Sequence, residues 1–574
     1  MTQSAPAAHG ISDPPQTIVI VGGVAGGASA AARLRRLNET AHIIVLERSG
    51  HVSFANCGLP YHLSGTISDR ESLLLQTPES LWQRFRLDVR VQHEVVGIDA
   101  ENKRVTARNL RSGALYDLDY DAMVLSPGAT PIVPPIPGRE RGLVLRNIED
   151  LDQMLAREAE ASDVVIVGAG FIGLEAAENL AAANRSVTIV ELGRQVLAPL
   201  DPEMAEPILA ELNDNGVSVK LGTSVAEIGD ETVTLSDGTV LPADLVLFSI
   251  GVRPDVQLAK SAALELGPHG GIAVDQQMRT SAPGIWAVGD AVEKSDLLAD
   301  EGESALMPLA NIANREGRRA ADSIMGRTTG VEAGQATAIV QVFGLTAAVT
   351  GWNEKKLRAA NRPFLAIHTH ALDHAGYYPG ASTLRLKLLL APDSGAILGA
   401  EAVGAKGADK RIDVLATAIR GGLTGPDLLD LELAYAPPFG SAKDPINQLG
   451  YISENRLSGL SPSVDFREVE DLQARGWQAL DVRDDREVVF GMIPGAIQIP
   501  VNELRDRLDE LPDAPTIVYC AVGQRAHVAQ QLLQTAGLEV RNLDGGWSTW
   551  QAALAAGLVG QTPASAETIV ATNG

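Results

Sequence analysis

The chain contains two cysteines in 574 residues, and each lies in a segment suited to thiol chemistry. Cys57 lies in SFANCGLPYHLSG, with no second cysteine near enough in sequence to pair with it. Cys520 ends an apolar run and begins the loop CAVGQR, six residues long and ending at Arg525, before a helical pattern. Successive N–H groups of such a loop, together with the helix dipole, can surround a thiolate or a persulfide. Because two cysteines cannot build a disulfide framework, the sequence predicts two separate reactive thiols.

A glycine-rich turn in DVVIVGAGFIGLEAAENLAAA follows a predicted strand and precedes a predicted helix. Gly168, Gly170 and Gly173 form the pattern GxGxxG. Such glycines permit a tight bend, close approach of a pyrophosphate and close packing of helix on strand. The pyrophosphate then lies at the helix N-terminus, where free N–H groups favour anions. Glu191 ends the next predicted strand, where a carboxylate can bind ribose hydroxyls, so this segment predicts a dinucleotide site.

A second turn, in TIVIVGGVAGGASAAARLRRL, departs from this pattern but keeps its outline. Gly22 and Gly27 hold the outer positions, Val24 occupies the middle one, and Gly26 is an additional glycine. Glu47 ends the following strand, HIIVLE. The two turns together predict two dinucleotide-binding units.

Composition restricts the class of protein that carries these motifs. A chain of this length should hold several domains, and its 45% hydrophobic fraction is enough for ordinary cores. The formal net charge of −25 disfavours nucleic acid and anionic membranes as partners. We find no signal peptide and no apolar run long enough to span a bilayer, and we expect a cytoplasmic protein without a metal site. Apolar runs alternate with helical patterns, which is typical of an α/β fold with parallel sheets.

Two later segments extend the first dinucleotide unit. LSPGATP at 125–131, which contains Gly128, resembles the strand-to-turn crossing of two-dinucleotide flavoproteins. TSAPGIWAVGDAVE at 280–293, which contains Gly289 and Asp290, resembles their second FAD signature. That resemblance implies that FAD binds here and that Asp290 contacts its ribityl chain.

The order of these motifs resembles the pyridine nucleotide–disulfide oxidoreductases over about residues 17–455. The resemblance implies two Rossmann-like domains, one for FAD and one for NAD(P), and an α+β dimerisation domain. ALDVRDDRE, MIPGAIQIP, TIVYCAVGQRAHVAQQLL and LDGGWSTW resemble, in that order, an α/β rhodanese domain. The predicted boundaries are a disordered tail at 1–16, an FAD domain at 17–150 and 262–330, an NAD(P) domain at 151–261, a dimerisation domain at 331–453, a linker at 454–463, a rhodanese domain at 464–560 and a disordered tail at 561–574.

The single cysteine places the resemblance within one branch of the family. That branch includes NADH peroxidases, NADH oxidases and coenzyme A-disulfide reductases, and SFANCGLP is most similar to the last of these. The peroxidases and oxidases carry a histidine in the first glycine turn, where this chain has Ala25. A peroxidase or oxidase fused to a sulfurtransferase is therefore the second hypothesis, and a sulfur-carrier or redox-sensing flavoprotein is the third.

The helix after the first turn carries Arg33 and Arg36 on one face, three residues apart. In so acidic a chain this basic face suits an anionic substrate, and the resemblance implies that it binds the phosphates of coenzyme A. Further substrate contacts implied by the resemblance come from Ser29, Ser53, Asn56 and Lys443.

Two tyrosines complete the expected reductase site. HAGYYPGA and AYAPPFGSAKDPIN resemble segments of the family's dimerisation domain and contain Tyr377 and Tyr435. The resemblance implies a homodimer with shared active sites, in which both tyrosines reach Cys57 of the partner subunit and protonate the leaving group. In the rhodanese segment Met492 stands where that family usually has a histidine.

The resemblance implies that reduced nicotinamide passes electrons through FAD to Cys57, whose thiolate is stabilised by the flavin and by a helix N-terminus. A mixed disulfide then forms between Cys57 and coenzyme A. We expect Cys520 to carry sulfane sulfur from small-molecule donors, so that disulfides and persulfides are both candidate substrates. Glu191 favours NADH over NADPH, although Arg194 lies three residues further on.

Overall fold

A computed structural model describes residues 14–158, 161–300, 302–327, 330 and 333–560. Residues 1–13 of the predicted N-terminal tail and all of the predicted tail at 561–574 lie outside the described residues. The chain forms two compact units, which are described separately. Unit 1 comprises Met1–Leu192 and Gly216–Ala336, and unit 2 comprises Gly193–Asn215 and Thr337–Gly574.

The elements are named in chain order. Up to residue 192 they are β1 (Thr17–Val21), α1 (Ala25–Leu37), β2 (His42–Glu47), α2 (Leu59–Leu63), α3 (Pro78–Phe85), β3 (Asp88–Val91), β4 (His93–Asp99), β5 (Arg104–Asn109), β6 (Leu115–Asp119), β7 (Ala122–Leu125), β8 (Ala129–Pro131), α4 (Ile148–Glu158), β9 (Asp163–Val167), α5 (Phe171–Ala182) and β10 (Ser186–Glu191). Between residues 193 and 336 they are α6 (Pro202–Asp214), β11 (Ser218–Leu221), β12 (Val225–Ile228), β13 (Thr232–Leu235), β14 (Val240–Pro242), β15 (Leu245–Phe248), β16 (Val252–Pro254), α7 (Gln257–Ser261), β17 (Ile285–Ala287), β18 (Glu293–Ser295), β19 (Ser304–Leu306) and α8 (Ala310–Ile324). After residue 336 they are β20 (Ala338–Val342), β21 (Leu345–Gly351), α9 (Glu354–Ala359), β22 (Leu365–Leu372), β23 (Thr383–Leu390), β24 (Ile397–Gly404), α10 (Ala408–Gly421), α11 (Pro445–Leu457), β25 (Ser463–Val464), α12 (Val469–Ala474), β26 (Gln478–Asp481), α13 (Asp485–Val488), β27 (Ile497–Gln498), β28 (Thr516–Tyr519), α14 (Gln524–Thr535), β29 (Val540–Leu543) and α15 (Gly546–Ala555).

Unit 1 contains the two predicted parallel sheets. The first has the strand order β17-β7-β1-β2-β3 and the second the order β11-β10-β9-β15, and every pairing in them is parallel. β1 and β9 are almost continuously apolar, TIVIV and DVVIV, because helices cover both faces of such sheets. Each is followed directly by a glycine turn and a helix, which confirms two Rossmann-like units.

Unit 2 contains an antiparallel sheet and a parallel sheet. The antiparallel sheet, β20-β21-β24-β23-β22, has α9 in the connection between β21 and β22, is followed in the chain by α10 and α11, and confirms the predicted α+β domain. The parallel sheet, β25-β29-β28-β26-β27, is interleaved with α12 to α15 and confirms the predicted C-terminal α/β domain. The domain boundaries themselves remain predictions. Helix α6, from the middle of the predicted NAD(P) segment, belongs to unit 2, where it packs against α15, β20, β21 and β24.

The predicted linker at 454–463 is an ordered part of unit 2. Its first residues complete α11, which ends at Leu457, and its last residue begins β25. Between them the buried Ser461 hydroxyl donates to Oε1 of Gln530 at 2.5 Å, and the Gln530 amide donates to the Pro462 carbonyl at 2.6 Å. These contacts attach the segment to α14, so it is a packed connection and not a free tether.

A buried group of charged side chains joins the segments of unit 2. The Lys387 ammonium, with 0% of its side chain exposed, lies 2.9 Å from Asp201 and 2.7 Å from Glu354 and also pairs with Glu203. Burial alone would lower the pKa of Lys387, but these carboxylates outweigh burial and hold it well above its usual value. The positive charges of Lys387 and His368 hold the pKa of Glu203 well below its usual range, although burial alone would raise it. The lysine, on β23, is therefore charged in the core, because the N-terminal ends of α6 and α9 bring several carboxylates to it.

His368 extends this group into the C-terminal domain. Its Nε2 lies 3.2 Å from Glu203, while its Nδ1 lies 2.5 Å from Asp544 and its backbone N–H donates to the same carboxylate at 3.0 Å. Burial opposes protonation of His368, but the two carboxylates raise its pKa to about 9. Asp544 directly follows β29, so a protonated histidine fixes one end of the parallel sheet to the antiparallel sheet.

We predict that Lys387→Met destabilises unit 2 by about 3–5 kcal/mol, because it leaves several buried carboxylates without their cation. The matched control is Lys410→Met, since Lys410 lies 3.4 Å from Asp444 with 32% of its side chain exposed. This partly exposed pair should contribute about 0–1 kcal/mol. Urea unfolding followed by tryptophan fluorescence measures both variants. Similar midpoints for the two variants would contradict the claim that the buried ammonium holds these segments together.

Candidate functional site

The first glycine turn has the geometry of a phosphate-binding turn. Gly22 has a φ of +93°, which glycine adopts without strain. A Cβ at Gly27 would lie 1.9 Å from the carbonyl oxygen of Gly22, and one at Gly26 would lie 2.9 Å from Val288 Cγ2. Helix α1 begins at Ala25 without a side-chain cap, so its first N–H groups are not satisfied by a capping side chain. The glycine turn and the uncapped N-terminus of α1 together form the arrangement with which proteins bind an anion.

The second glycine turn repeats this arrangement between β9 and α5. Gly168 has a φ of +107°, and a Cβ at Gly173 would lie 2.1 Å from the Gly168 carbonyl oxygen. A Cβ at Gly170 would meet no atom within 4 Å, so the side of the turn at the start of α5 is open. α5 also begins without a side-chain cap. Two of the glycines serve the turn itself, and the third leaves room for a ligand to approach the backbone.

A carboxylate at the end of the following strand closes each turn. Glu47 accepts a hydrogen bond from the Gly23 N–H at 2.8 Å, and Glu191 accepts one from the Ala169 N–H at 2.8 Å. Burial raises the pKa of Glu47 above its usual value. The two predicted ribose ligands therefore occupy equivalent positions, each oriented by a backbone N–H of its own turn.

The predicted second FAD signature follows β17. Gly289 and Gly128 both have positive φ, +84° and +74°. The Asp290 carboxylate lies 2.8 Å from the Arg146 guanidinium, and the buried Glu316 accepts from the Gly289 N–H at 2.7 Å. Arg146 was not predicted from the sequence, because the 144 positions between it and Asp290 carry no pattern linking them. The ion pair fixes the side chain that is expected to meet the ribityl chain.

These observations fit the cofactors that the motifs imply. FAD would be held by the first turn, Glu47 and the Asp290 segment, and a nicotinamide dinucleotide by the second turn and Glu191. In both cases the fit rests on a glycine turn that a Cβ would block, an uncapped helix N-terminus and a carboxylate placed at the end of the adjacent strand.

Cys57 lies in unit 1 within a short 3₁₀ helix, Asn56–Gly58, immediately before α2, and is exposed. Its backbone N–H donates to Oδ1 of Asn56 at 3.1 Å. Partial desolvation raises the pKa of the thiol, and the negative charge of Glu175 adds to this effect. The Tyr61 hydroxyl donates to Glu175 at 3.3 Å, and burial with that carboxylate raises the pKa of Tyr61 to about 12.

Stabilisation of the Cys57 thiolate by the flavin and by a helix N-terminus stays a prediction, and the described residues act on the pKa of the thiol in both directions. Arg146 lowers the pKa of the Cys57 thiol. Burial and the charge of Glu175 are the two larger effects and raise it, and Asp290 raises it further. Glu175 lies two residues after Gly173 of the second glycine motif. This short spacing is the sequence feature from which its place near the site could have been predicted.

Two predicted substrate residues flank the first turn. Ser53 has a φ of +48°, a strained conformation for a residue with a side chain, and its N–H donates to the Gly23 carbonyl at 2.9 Å. The Ser29 hydroxyl donates to Oδ1 of Asn314 on α8 at 2.7 Å. Ser53 is thus tied directly to the turn, and Ser29 joins α1 to α8.

The two arginines on α1 differ in their surroundings. Arg33 pairs with the buried carboxylate of Asp322 at 2.7 Å, so its charge is already matched inside unit 1. Arg36 is exposed, and its guanidinium lies 5.9 Å from the centroid of the Phe85 ring. The sequence placed both on one basic face, but only Arg36 presents its charge to solvent. Both arginines remain predicted phosphate ligands, and Arg33 in addition joins α1 to α8 through Asp322.

The two tyrosines meet in unit 2. Their hydroxyls are 2.9 Å apart although the residues are separated by 58 positions. Tyr377 is 76% exposed and Tyr435 is 49% exposed, and the hydrogen bond between them raises the pKa of Tyr377. Lys443 is also exposed, on the segment that leads into α11. The two tyrosines, predicted separately, therefore form one hydrogen-bonded pair within a single chain, and their approach to Cys57 of the partner subunit stays a prediction.

Cys520 directly follows β28 and is fully buried. The next turn reverses at Gly523, with a φ of +90°, before α14 begins. The Cys520 carbonyl accepts from the Trp547 N–H at 2.8 Å, and a Cβ at Gly546 would lie 2.4 Å from the same oxygen. The start of α15 therefore closes one side of the loop.

Arg525 makes a bidentate ion pair that the sequence did not reveal. Its two terminal nitrogens lie 2.6 Å from the two carboxylate oxygens of Glu487, and Asp484 lies 3.5 Å away. Glu487 is 38 positions earlier, at the end of ALDVRDDRE, so its contact arises from tertiary packing alone. The hydrogen bonds raise the pKa of Arg525 further and lower that of Glu487, so both are charged.

No helix in the described part of the chain has the length and hydropathy of a membrane span. Family models match the chain as a pyridine nucleotide-disulphide oxidoreductase over residues 16–317, its dimerisation domain over 337–444 and a rhodanese-like domain over 465–553. The chain is 34% identical over 442 residues to the coenzyme A disulfide reductase of Staphylococcus epidermidis, covering 76% of this chain and 99% of that protein.

Two solved structures are similar over nearly the whole chain. Reduced Bacillus anthracis CoADR-RHD is 44% identical with a TM-score of 0.92, covering 94% of this chain and 98% of that one. A NAD-dependent persulfide reductase from A. fulgidus is 35% identical with a TM-score of 0.87, covering 93% and 100%. The protein therefore belongs to the pyridine nucleotide-disulphide oxidoreductase family, as an FAD- and NAD(P)H-dependent reductase that also carries a rhodanese-like domain.

Proposed function

We propose that the protein reduces coenzyme A disulfide and coenzyme A or other thiol persulfides, with the rhodanese-like domain supplying sulfane sulfur. The observation that carries this proposal is the exposed Cys57, which lies in unit 1 near enough to Asp290 and to Glu175 on α5 for their charges to act on its pKa, in a chain whose one other cysteine is Cys520. Without a second redox cysteine in its segment, Cys57 needs the substrate to provide the other sulfur. The similarity to coenzyme A disulfide reductases and to a persulfide reductase supports the same substrate class.

FAD, when bound, supplies two-electron transfer from the reduced nicotinamide to sulfur. The Cys57 thiolate attacks the substrate, breaks its S–S bond and forms a mixed disulfide, releasing a thiolate from a disulfide or hydrosulfide from a persulfide. Two electrons then break the mixed disulfide and regenerate the Cys57 thiolate together with coenzyme A thiolate. The exposed tyrosine pair is the proposed proton donor to the leaving sulfur, acting on Cys57 of the partner subunit in a homodimer.

The dimerisation-domain match supports this assembly, because Tyr377 and Tyr435 both lie within that domain, with their hydroxyls hydrogen-bonded to each other and their side chains exposed. Their hydrogen bond lets one hydroxyl give a proton while the other stabilises the resulting phenolate. The alternative function, an NADH peroxidase or oxidase, would need a proton-transfer group in the first glycine turn, where helix α1 instead begins at Ala25.

The position of Glu191 predicts a preference for NADH. Its carboxylate, oriented by the Ala169 N–H, can accept from a ribose 2′-hydroxyl and repels a 2′-phosphate. We expect kcat/KM to be higher with NADH than with NADPH, and Glu191→Ala to reduce that preference. Steady-state kinetics with both nucleotides tests this. A wild-type enzyme that uses NADPH equally well would show that Glu191 does not select the cofactor.

Arg36 is predicted to hold a phosphate of coenzyme A. A charge-assisted contact contributes about 1.5–3 kcal/mol, so Arg36→Ala should raise KM for coenzyme A substrates about tenfold or more. Small persulfides that lack phosphates should be reduced nearly as before. Arg104→Ala is the control, since it removes an exposed guanidinium that pairs with Asp119 on β6. If both substrate types lose activity equally, Arg36 is a structural residue.

Separate substitution of the two thiols tests the proposed division of labour. Cys520→Ser should abolish sulfur transfer from sulfane-sulfur donors but leave NADH-dependent reduction of supplied coenzyme A persulfide near wild type. Cys57→Ser should do the reverse, because a hydroxyl forms neither a persulfide nor a mixed disulfide. Flavin absorbance should be retained in both variants and serves as the folding control. Loss of persulfide reduction in Cys520→Ser would mean that sulfur must pass through Cys520 to reach the flavin site.

A further inference from the structure

The ion pair beside Cys520 indicates which donors this thiol accepts. Arg525 ends the Cys520 loop and is the one cation within it, but both of its terminal nitrogens are occupied by Glu487 at 2.6 Å. Glu487 also accepts from the Asp484 backbone N–H at 3.1 Å, within the capping box that starts α13. The carboxylate is thus held from two sides in its contact with the arginine.

Charges near the loop sum to a negative value. Arg483, the second arginine in contact with this segment, is buried and pairs with Asp481 at 2.6 Å, so it is matched as well. Asp484 lies 3.5 Å from Arg525 and is more than half exposed, and it adds a carboxylate beyond the two pairs. The remaining charges on α13, those of Asp485 and Arg486, are both exposed to solvent and offset each other. A doubly charged anion that approaches Cys520 therefore meets a neutralised arginine and an additional carboxylate.

We propose that Glu487 is a specificity-determining positioning residue, which neutralises Arg525 and makes the Cys520 site reject dianionic sulfur oxyanions in favour of organic persulfides of lower charge. This inference rests on the proposed sulfur-transfer function of the rhodanese-like domain. The loop still offers backbone N–H groups to a bound persulfide, because their dipoles do not depend on Arg525. What Glu487 removes is the attraction that a free guanidinium gives to sulfonate oxygens.

Both donor classes use the same displacement at Cys520. With a persulfide RSSH, the Cys520 thiolate attacks the terminal sulfur, the donor S–S bond breaks, and Cys520 persulfide and RS⁻ are formed. With thiosulfate the same attack forms Cys520 persulfide and releases sulfite. Sulfur is transferred without any external oxidant or reductant in either case. The two donors differ chiefly in charge, which makes their ratio of kcat/KM a measure of electrostatic selection.

The experiment compares thiosulfate with the persulfide of 2-mercaptoethanol, with dithiothreitol as acceptor, in the full-length protein. Wild type should favour the persulfide. Glu487→Gln should raise the thiosulfate-to-persulfide ratio of kcat/KM about tenfold, since one charge interacts with a dianion roughly twice as strongly as with a monoanion. The glutamine keeps an oxygen for the Asp484 N–H and preserves the capping box. Glu510→Gln is the control, because it breaks a bidentate pair with Arg507 elsewhere in the same domain.

A measurement without any substitution gives an independent readout. Raising the salt concentration from 0.05 to 0.5 M should increase the wild-type ratio, because screening weakens rejection of the dianion most. A ratio unchanged by both Glu487→Gln and salt, or a wild type that favours thiosulfate, overturns the inference while leaving sulfur transfer intact. Transfer from neither donor overturns the proposed role of the rhodanese-like domain together with it. A purely structural role for Glu487 would lower both rates and leave their ratio constant.

Discussion

The buried ammonium of Lys387 is the interaction on which unit 2 depends. Asp201, Glu203 and Glu354 lie close enough to share one cation, and Lys387 is that cation. Several carboxylates in a core carry a large desolvation cost unless positive charge accompanies them. His368 supplies further positive charge and carries the network to Asp544, which immediately precedes the glycines at the start of α15 that close the Cys520 loop. The segment that closes the Cys520 loop is thus attached to charges that lie in a different sheet.

The two Rossmann-like units in unit 1 share the same glycine-turn structure. In each Rossmann-like unit a glycine with positive φ reverses the chain, a second glycine lets the helix pack on the turn, and a strand-end carboxylate accepts a backbone N–H of that turn. The carboxylate therefore contributes to the turn's stability in addition to the ribose recognition predicted for it. This double role explains why Glu47 can be buried, with a raised pKa, and still be placed where a dinucleotide is expected to bind.

Local patterns in the sequence predicted the local structure well. The strands before both turns and the turns themselves follow from glycine spacing and apolar runs, because those features are determined within a few residues. The order of the four folds was implied by the resemblance to known families. Charge pairing across the chain was not predictable in the same way. In the sequence Arg33 and Arg525 have no visible partner. In the structure α8 places Asp322 beside Arg33, and the segment of α13 places Glu487 beside Arg525. The raised pKa of Cys57 also depends on packing, since Glu175 belongs to a motif assigned to the other cofactor.

The surroundings of the two thiols match the sizes of the products proposed for them. A persulfide adds one sulfur atom, and Cys520 is buried in a loop closed by α15, with N–H groups near it and no exposed surface. A mixed disulfide with coenzyme A adds a whole cofactor, and Cys57 is exposed on a short helix with the solvent-facing Arg36 in the same unit. The two surroundings could not be exchanged. A bulky disulfide could not enter the Cys520 loop, and an exposed persulfide would react with thiols in solution. Two thiols in one chain can therefore carry different sulfur species because only one of them is open to a large substrate.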